Sequence, residues 1–334
     1  MPPAFAARPR IPVTLLSGYL GAGKTTLVNR LLAAPGGRRL GVLVNDFGAV
    51  NVDAALIEGA QDGVLSLADG CVCCGVSDDL GKALDLLLAR PKPPEHVLLE
   101  ASGVADPQRI ALMAGGWPGF ELDSIVTLAD AETLPARLAD RYVGQLVRRQ
   151  LASADMIALT RTDRLPPEAA ELARARIRAA APRARLLDAP HGSLPPDLLF
   201  GPFPGAQPGQ ARPQGACGPG RPTLAGIGPA HDPAHDLATV RSALWQARAP
   251  VDPARLAAAL DALPPEIHRA KGVLRTPAGP LLVQKVGARA SLTPGGAPTD
   301  ALVLIAAGAP PALGPALAAA LARLDALLPE TARR

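Results

Sequence analysis

Apolar residues run almost unbroken from Ile11 to Leu16 and stop at Ser17-Gly18. A short continuous run closed by a glycine loop predicts a strand buried on both faces, as in a parallel sheet. A helix from Lys24 to about Ala33 follows, then a second strand over Leu40–Asn45. Later apolar runs at His96–Glu100, Ser124–Asp130 and Met156–Thr160 alternate with stretches of helical period. Strands separated by helices predict an α/β fold with a doubly wound, mainly parallel sheet. The alternation continues to about Leu187.

Beyond Leu187 the periodicity vanishes. Pro and Gly dominate up to about His235, with Pro204, Pro208, Pro213, Pro219 and Pro222 in the stretch, so residues 189–235 read as a surface linker. A smaller unit then begins near Asp236. It carries a strand-like segment over Val240–Ala247, a helix over Asp252–Leu263, strands near Val273, at Leu281–Val286 and at Ala301–Ala306, and a closing helix over Pro311–Leu328. The expected organisation is a nucleotide-binding unit over 1–188, a linker over 189–235 and a compact α+β domain over 236–334.

Composition narrows the function classes. The 334 residues are 48% apolar and 3% aromatic, so two domains with cores of Ala, Leu and Val are expected. The net charge of +4 is scattered, with no basic stripe interleaved with aromatics, which argues against nucleic acid as a partner. No apolar run is long enough to span a bilayer and no cleavage-site pattern opens the chain, so a cytoplasmic protein without a membrane partner is expected. Of 4 cysteines, Cys71, Cys73 and Cys74 are clustered. Clustering suits metal binding in a reducing compartment better than a disulfide framework.

The chemistry begins at Gly18-Tyr19-Leu20-Gly21-Ala22-Gly23-Lys24-Thr25, which fits the phosphate-binding loop of the P-loop NTPases, with Thr26 just behind it. Such a loop must point consecutive backbone N–H groups at phosphate oxygens without side-chain obstruction. Lys24 is expected to reach the β- and γ-phosphates and the Thr25 hydroxyl to bind Mg2+. Glu100 ends a strand where a carboxylate can hold magnesium or its water shell, and Gly103 lets a backbone N–H approach the γ-phosphate. His96, at the start of that strand, is expected to be solvated. Thr160-Arg161-Thr162-Asp163 stands where the base-reading loop belongs. Asp163 would accept from guanine N1–H and the 2-amino group, and the Arg161 stem would cover the base. Thr160 cannot offer an amide's paired donor and acceptor, so GTP is the expected nucleotide with weakened affinity.

Three thiolates in one tight turn, flanked by Gly70 and Gly75, offer soft ligands to Zn2+ or a similar ion and leave a fourth position open. An open position suits transfer of the ion better than permanent structure.

Taken together, the phosphate loop, Val44-Asn45-Asp46-Phe47-Gly48, Gly70-Cys71-Val72-Cys73-Cys74, Glu100–Pro107 and Arg269-Ala270-Lys271-Gly272 resemble the CobW-like metallochaperone GTPases, relatives of the urease and hydrogenase nickel-insertion GTPases. The resemblance implies GTP hydrolysis coupled to delivery of zinc, cobalt or another transition metal to a client metalloprotein or a metal-cofactor biosynthesis enzyme. It places Asp46 in a first switch segment, where the family usually has Glu, as a contact for magnesium or the shuttled ion. The sequence departs from the family at Thr160-Arg161, at Ala49 after the Phe-Gly pair, and in lacking a long histidine-rich run; toward its far end the linker carries His231, His235 and Cys217. With no water-positioning Gln or arginine finger in view, a client or a homodimer partner is expected to complete the site. Two other readings remain open on the residues: a metal-buffering or regulatory nucleotide-binding protein, and an ATP-dependent small-molecule kinase.

Overall fold

The computed structural model describes residues 10–33, 38–45, 64–67, 76–201, 239–296, 298–308 and 310–329. Among the described residues the strands form two sheets. The first has seven strands, β1 (Ile11–Ser17), β2 (Leu40–Asn45), β3 (Val64–Leu67), β4 (His96–Glu100), β5 (Phe120–Asp130), β6 (Met156–Thr160) and β7 (Arg185–Ala189), in the order β3-β2-β4-β1-β5-β6-β7. Every pairing in it is parallel.

Helices cover both faces, which is why the strands are apolar throughout. On one face Val13 and Leu15 meet α2 (Val76–Leu88) through Leu80, Leu84 and Leu87, and α3 (Pro107–Gly116) through Ile110 and Ala114. Asp106 starts α3 by accepting from Gln108 N at 3.0 Å, with Pro107 supplying the fixed φ of a first helical residue. On the other face Leu16 meets α1 (Lys24–Ala33) through Leu27, Val28 and Leu31. Toward the far edge, α4 (Leu134–Ala139), α5 (Gly144–Ala152) and α6 (Pro167–Ala180) close over Ile157 and Leu159.

The nucleotide unit runs further than the sequence suggested. Residues 190–201, expected in the linker, form a 3-10 turn and the short helix α7 (Pro196–Phe200), and Leu194, Leu198, Leu199 and Phe200 are buried beside Leu16 and Leu31. Prolines read as a linker signal here start helical turns, at Pro190 and Pro196.

The second sheet is antiparallel and has five strands, β8 (Thr239–Gln246), β9 (Ile267–Thr276), β10 (Gly279–Val286), β11 (Arg289–Pro294) and β12 (Ala301–Gly308), in the order β11-β10-β9-β12-β8. Helices α8 (Pro253–Asp261) and α9 (Pro310–Asp325) cover it. This sheet docks on the nucleotide unit. Val286, Ile305 and Ala307 join the core around Leu16 and Leu27. Arg269 of β9, 1% exposed, pairs with the equally buried Asp123 of β5 and donates to the Leu199 carbonyl at 3.0 Å. Arg289 forms a two-pronged pair with Asp155 at 2.9 and 2.8 Å, and Gln284 donates to Glu121 at 2.9 Å. Among the described residues no helix is long and apolar enough to cross a membrane.

Candidate functional site

The C-terminal ends of β1, β4, β5, β6 and β7 lie along one rim of the parallel sheet, at Ser17, Glu100, Asp130, Thr160 and Ala189. β1 stands between β4 and β5, with β2 and β3 on one side and the later strands on the other. Connections therefore leave β1 and β5 in opposite directions, which opens a crevice for ligands at this point of the rim.

The loop from β1 to α1 fills that crevice. Gly18, Gly21 and Gly23 have φ of +135°, +80° and +99°, a region open to glycine and strained for other residues. Gly18 is required twice over, because a Cβ there would stand 2.3 Å from the Leu128 carbonyl oxygen. Lys24 is the first residue of α1 and is buried. Its Nζ donates back to the Gly18 carbonyl at 2.9 Å, so the loop curls around its own ammonium. The N-terminal end of α1 faces the same space, with backbone N–H groups that have no partner inside the helix. Thr25 donates from Oγ1 to Glu100 Oε1 at 3.1 Å, and Glu100 is 1% exposed. A hydroxyl and a carboxylate oxygen are the hard donors a magnesium ion takes, and they meet at the helix start where phosphate charge would be bridged. Ala22 of the loop is buried, and Thr26, in the first turn of α1, is exposed.

Gly103 closes the site from above. It is buried, and a Cβ on it would lie 2.6 Å from the Leu20 side chain and 2.8 Å from Leu20 N, so the turn after Glu100 rests directly on the phosphate loop.

The Thr160–Asp163 loop, expected to read the base, holds its position by gripping the glycine loop after β1. The buried Thr160 hydroxyl lies 3.1 Å from the Ala22 carbonyl and 3.2 Å from that of Ala129. Arg161, at φ +59°, donates to Gly21 O at 3.0 Å and pairs with Asp130. The Thr160 hydroxyl thus tethers the end of β6 to the glycine loop and to β5. The structure sends the Arg161 guanidinium to the loop while leaving its stem along the rim. Asp163 stands on a 3-10 turn, and its Oδ2 lies 3.4 Å from His191 Nδ1.

Three parts of this site were missed in the sequence. Asp130 ends β5, accepts from Glu132 N and Thr133 Oγ1, both at 3.0 Å, and anchors Arg161. An acidic residue at the carboxyl end of a strand next to β1 was the available signal. His191-Gly192 follows β7, with Gly192 at φ +69° against Thr26 and the Gly23 carbonyl. Gln150 reaches in from α5 to the Gly103 carbonyl; nothing in the sequence marked it. His96 is no solvated residue: it is 2% exposed, edge-on to Phe200 with ring centroids 4.8 Å apart, and bonded to Thr14 Oγ1 at 2.8 Å. Burial pushes its pKa down to about 3, with nearby Asp123 pulling the other way and Arg269 adding to the fall.

Cys71, Cys73, Cys74 and Asp46 lie outside the described residues, as do Ala49, Cys217, His231 and His235. Among the described residues no group of three or more His, Cys, Asp and Glu is placed to hold a metal ion.

Residues 12–188 match the family model described as CobW/HypB/UreG, nucleotide-binding domain, and residues 240–324 match that of the cobalamin synthesis protein cobW C-terminal domain. The chain is similar to the zinc chaperone CobW of Sinorhizobium sp, 31% identical over 231 residues that cover 60% of this chain and 65% of that one. It is 37% identical to the zinc chaperone YjiA of Escherichia coli (strain K12) over 202 residues, covering 57% and 61%. It is also 31% identical to the zinc-regulated GTPase metalloprotein activator 1 of Schizosaccharomyces pombe over 195 residues, covering 55% and 47%. The chain thus spans less than two thirds of the length of the relatives it matches. With both halves matched in the order its two sheets occur, the chain belongs to the CobW/HypB/UreG family and carries the CobW C-terminal domain.

Proposed function

We propose that this chain is a GTP-hydrolysing metal chaperone. It binds GTP with magnesium in the crevice after β1 and carries a transition-metal ion as cargo on Cys71, Cys73 and Cys74. It delivers that ion to a client metalloprotein or a metal-cofactor biosynthesis enzyme in the reducing cytoplasm. The observation that carries the reading is the Lys24–Gly18 and Thr25–Glu100 pair of contacts, which sets an ammonium, a hydroxyl and a carboxylate together at the glycine loop and the start of α1. Zinc is preferred to cobalt as cargo because the relatives are named for zinc.

In this reading Lys24 exchanges the Gly18 carbonyl for β- and γ-phosphate oxygens and meets the charge that develops as the terminal phosphoryl leaves. Thr25 and Glu100 hold magnesium, which when bound neutralises phosphate charge. The Gly103 N–H meets the γ-phosphate, and the Gly18, Gly21, Ala22 and Gly23 backbone lines the rest, with Thr26 at the α-phosphate end. Asp163 accepts from guanine N1–H and the 2-amino group, which adenine cannot supply, under the stem of Arg161. Asp46 completes the magnesium or cargo contact. A client, or a second copy of the chain, completes the hydrolytic site.

Metal titrations of the GTPγS-loaded and GDP-loaded protein test this. One zinc ion per chain is expected, held with different affinity in the two states. By linkage zinc then shifts nucleotide affinity by the same factor. Replacing Cys71, Cys73 and Cys74 by Ser removes tight binding and leaves GTP binding in place. Because thiolates shed protons to bind, zinc affinity falls as pH drops. Identical zinc affinity in both states would sink the chaperone mechanism, and equal affinities for GTP and ATP would sink the guanine assignment.

A further inference from the structure

Gln150 lies in the last turn of α5 and is 1% exposed. A buried amide side chain needs partners, and this one finds them in a single short turn. Its Nε2 donates to the Gly103 carbonyl at 3.0 Å and to the Ala105 carbonyl at 3.2 Å. Two carbonyl oxygens accept and cannot donate, so only the NH2 end of the amide can face them, and the side-chain orientation is set by chemistry. Oε1 has no partner among the described residues, so the donor end alone ties the residue down.

The base of this strut is fixed too. The Gln150 backbone carbonyl accepts from Thr127 Oγ1 at 3.0 Å, and Thr127 lies opposite Ser17 in the β1–β5 register. The far end is braced from the other side. The turn is closed by Ala105 N donating to Ser102 O at 3.0 Å, and Gly103 rests on Leu20 of the phosphate loop. The turn is therefore clamped between the phosphate loop in front and the Gln150 amide behind. Glu100, two residues before the turn, already holds Thr25.

We propose that Gln150 is a positioning residue for the third phosphate: it holds the Ser102–Ala105 turn in the one conformation that presents its backbone to the γ-phosphate, and so sets how well the protein tells GTP from GDP. This rests on the reading of Gly18–Thr25 as the phosphate site. Bonding the Gly103 carbonyl fixes the Gly103–Val104 peptide plane, and bonding the Ala105 carbonyl fixes the next but one, so little freedom is left between them. A turn ordered in advance binds its ligand without an ordering cost; one that must be ordered on binding loses affinity for that ligand alone.

The test is Gln150→Met, which keeps length and fills the space while removing both donors. GTPγS and GDP dissociation constants are measured side by side in the full chain, with the thermal midpoint of the nucleotide-free protein. The expected result is GTPγS weakened by about tenfold with GDP unchanged within about twofold. Equal weakening of both, or no change in either, overturns the proposal, because a merely structural role cannot tell the two nucleotides apart. A second measurement needs no variant. In the wild type, amide exchange over residues 102–106 should slow with GTPγS relative to GDP, and identical exchange in the two states overturns the proposal as well. Failure of the underlying reading looks different: Lys24→Ala would then leave both nucleotides bound as tightly as before.

Discussion

Thr160 and Arg161 grip consecutive carbonyls of the phosphate loop, Ala22 at 3.1 Å and Gly21 at 3.0 Å. The spacing between the loop proposed to hold phosphates and the residue proposed to read the base is fixed by these two bonds. Thr160→Val keeps the shape and removes the donor, leaving a buried carbonyl short of a partner. It should weaken GTP and GDP alike by about 1 kcal/mol, roughly fivefold, in a fluorescent-nucleotide titration; unchanged affinities would mean the tether is idle. The glycines separate space from strain. A Cβ at Gly18 collides with Leu128 O at 2.3 Å, whereas Gly21 has nothing within 4 Å but a φ of +80°. Gly21→Ala should therefore fold and lose only about 1–2 kcal/mol of stability. Gly18→Ala should lose nucleotide binding altogether, and calorimetric melts with and without GTP distinguish the two. The sequence was readable wherever a residue type is forced, as at these glycines, Lys24 and Glu100. It was silent on Gln150, whose partners are two carbonyls 45 and 47 residues away.

The five inner strands of the parallel sheet were legible because burial on both faces makes them continuous apolar runs. The strands that escaped notice lack that mark. β11 is an edge strand whose residues are mostly exposed, and β3 has only four residues, too few for a pattern to emerge. Within β4 and β9 the informative departures are polar. His96 and His268 are 2% and 3% exposed, and burial pushes their pKa values down to about 3 and about 4. His268 is pushed further by the charge of Arg185, opposed by a bond to the Ala307 backbone. Both stay neutral in the folded chain at pH values where the unfolded chain binds protons. Stability is thus complete above about pH 6.5 and falls as pH drops toward 4 for His268 and toward 3 for His96, by about 3 kcal/mol for each histidine at about pH 4.5. Urea unfolding at pH 7.5 and 4.5 checks this: His268→Asn should shrink the difference between the two, and an unchanged difference would place the titrating groups elsewhere.

The two sheets are joined by charge buried between them, and the join decides where the molecule can be divided. Asp123 and Arg269 are each 1% exposed. Burial alone would raise the Asp123 pKa, yet the Arg269 charge and hydrogen bond, helped by Lys271, hold it below the usual carboxylate range. Lys271 is itself held below its ordinary value by burial, with Asp123 opposing that fall. Such a pair contributes little against a well-fitted apolar substitute, but breaking it strands a charge. Arg269→Leu should therefore cost about 3–5 kcal/mol, and Asp123→Asn added to it should recover part of that loss. The same logic applies to truncation. A fragment ending near Leu187 follows the composition of the chain, but it discards Leu194, Leu198, Leu199 and Phe200 from the core that also holds Leu16 and Leu31. It also uncovers His96 and Asp123. A fragment ending at Gly201 keeps those four side chains and the Leu199 carbonyl that Thr14 meets at 3.2 Å. The longer fragment should show cooperative thermal unfolding and bind GTP, more so with Asp123→Asn, while the shorter one should do neither. Equal melting of the two fragments would show that residues 190–201 are dispensable to the nucleotide unit.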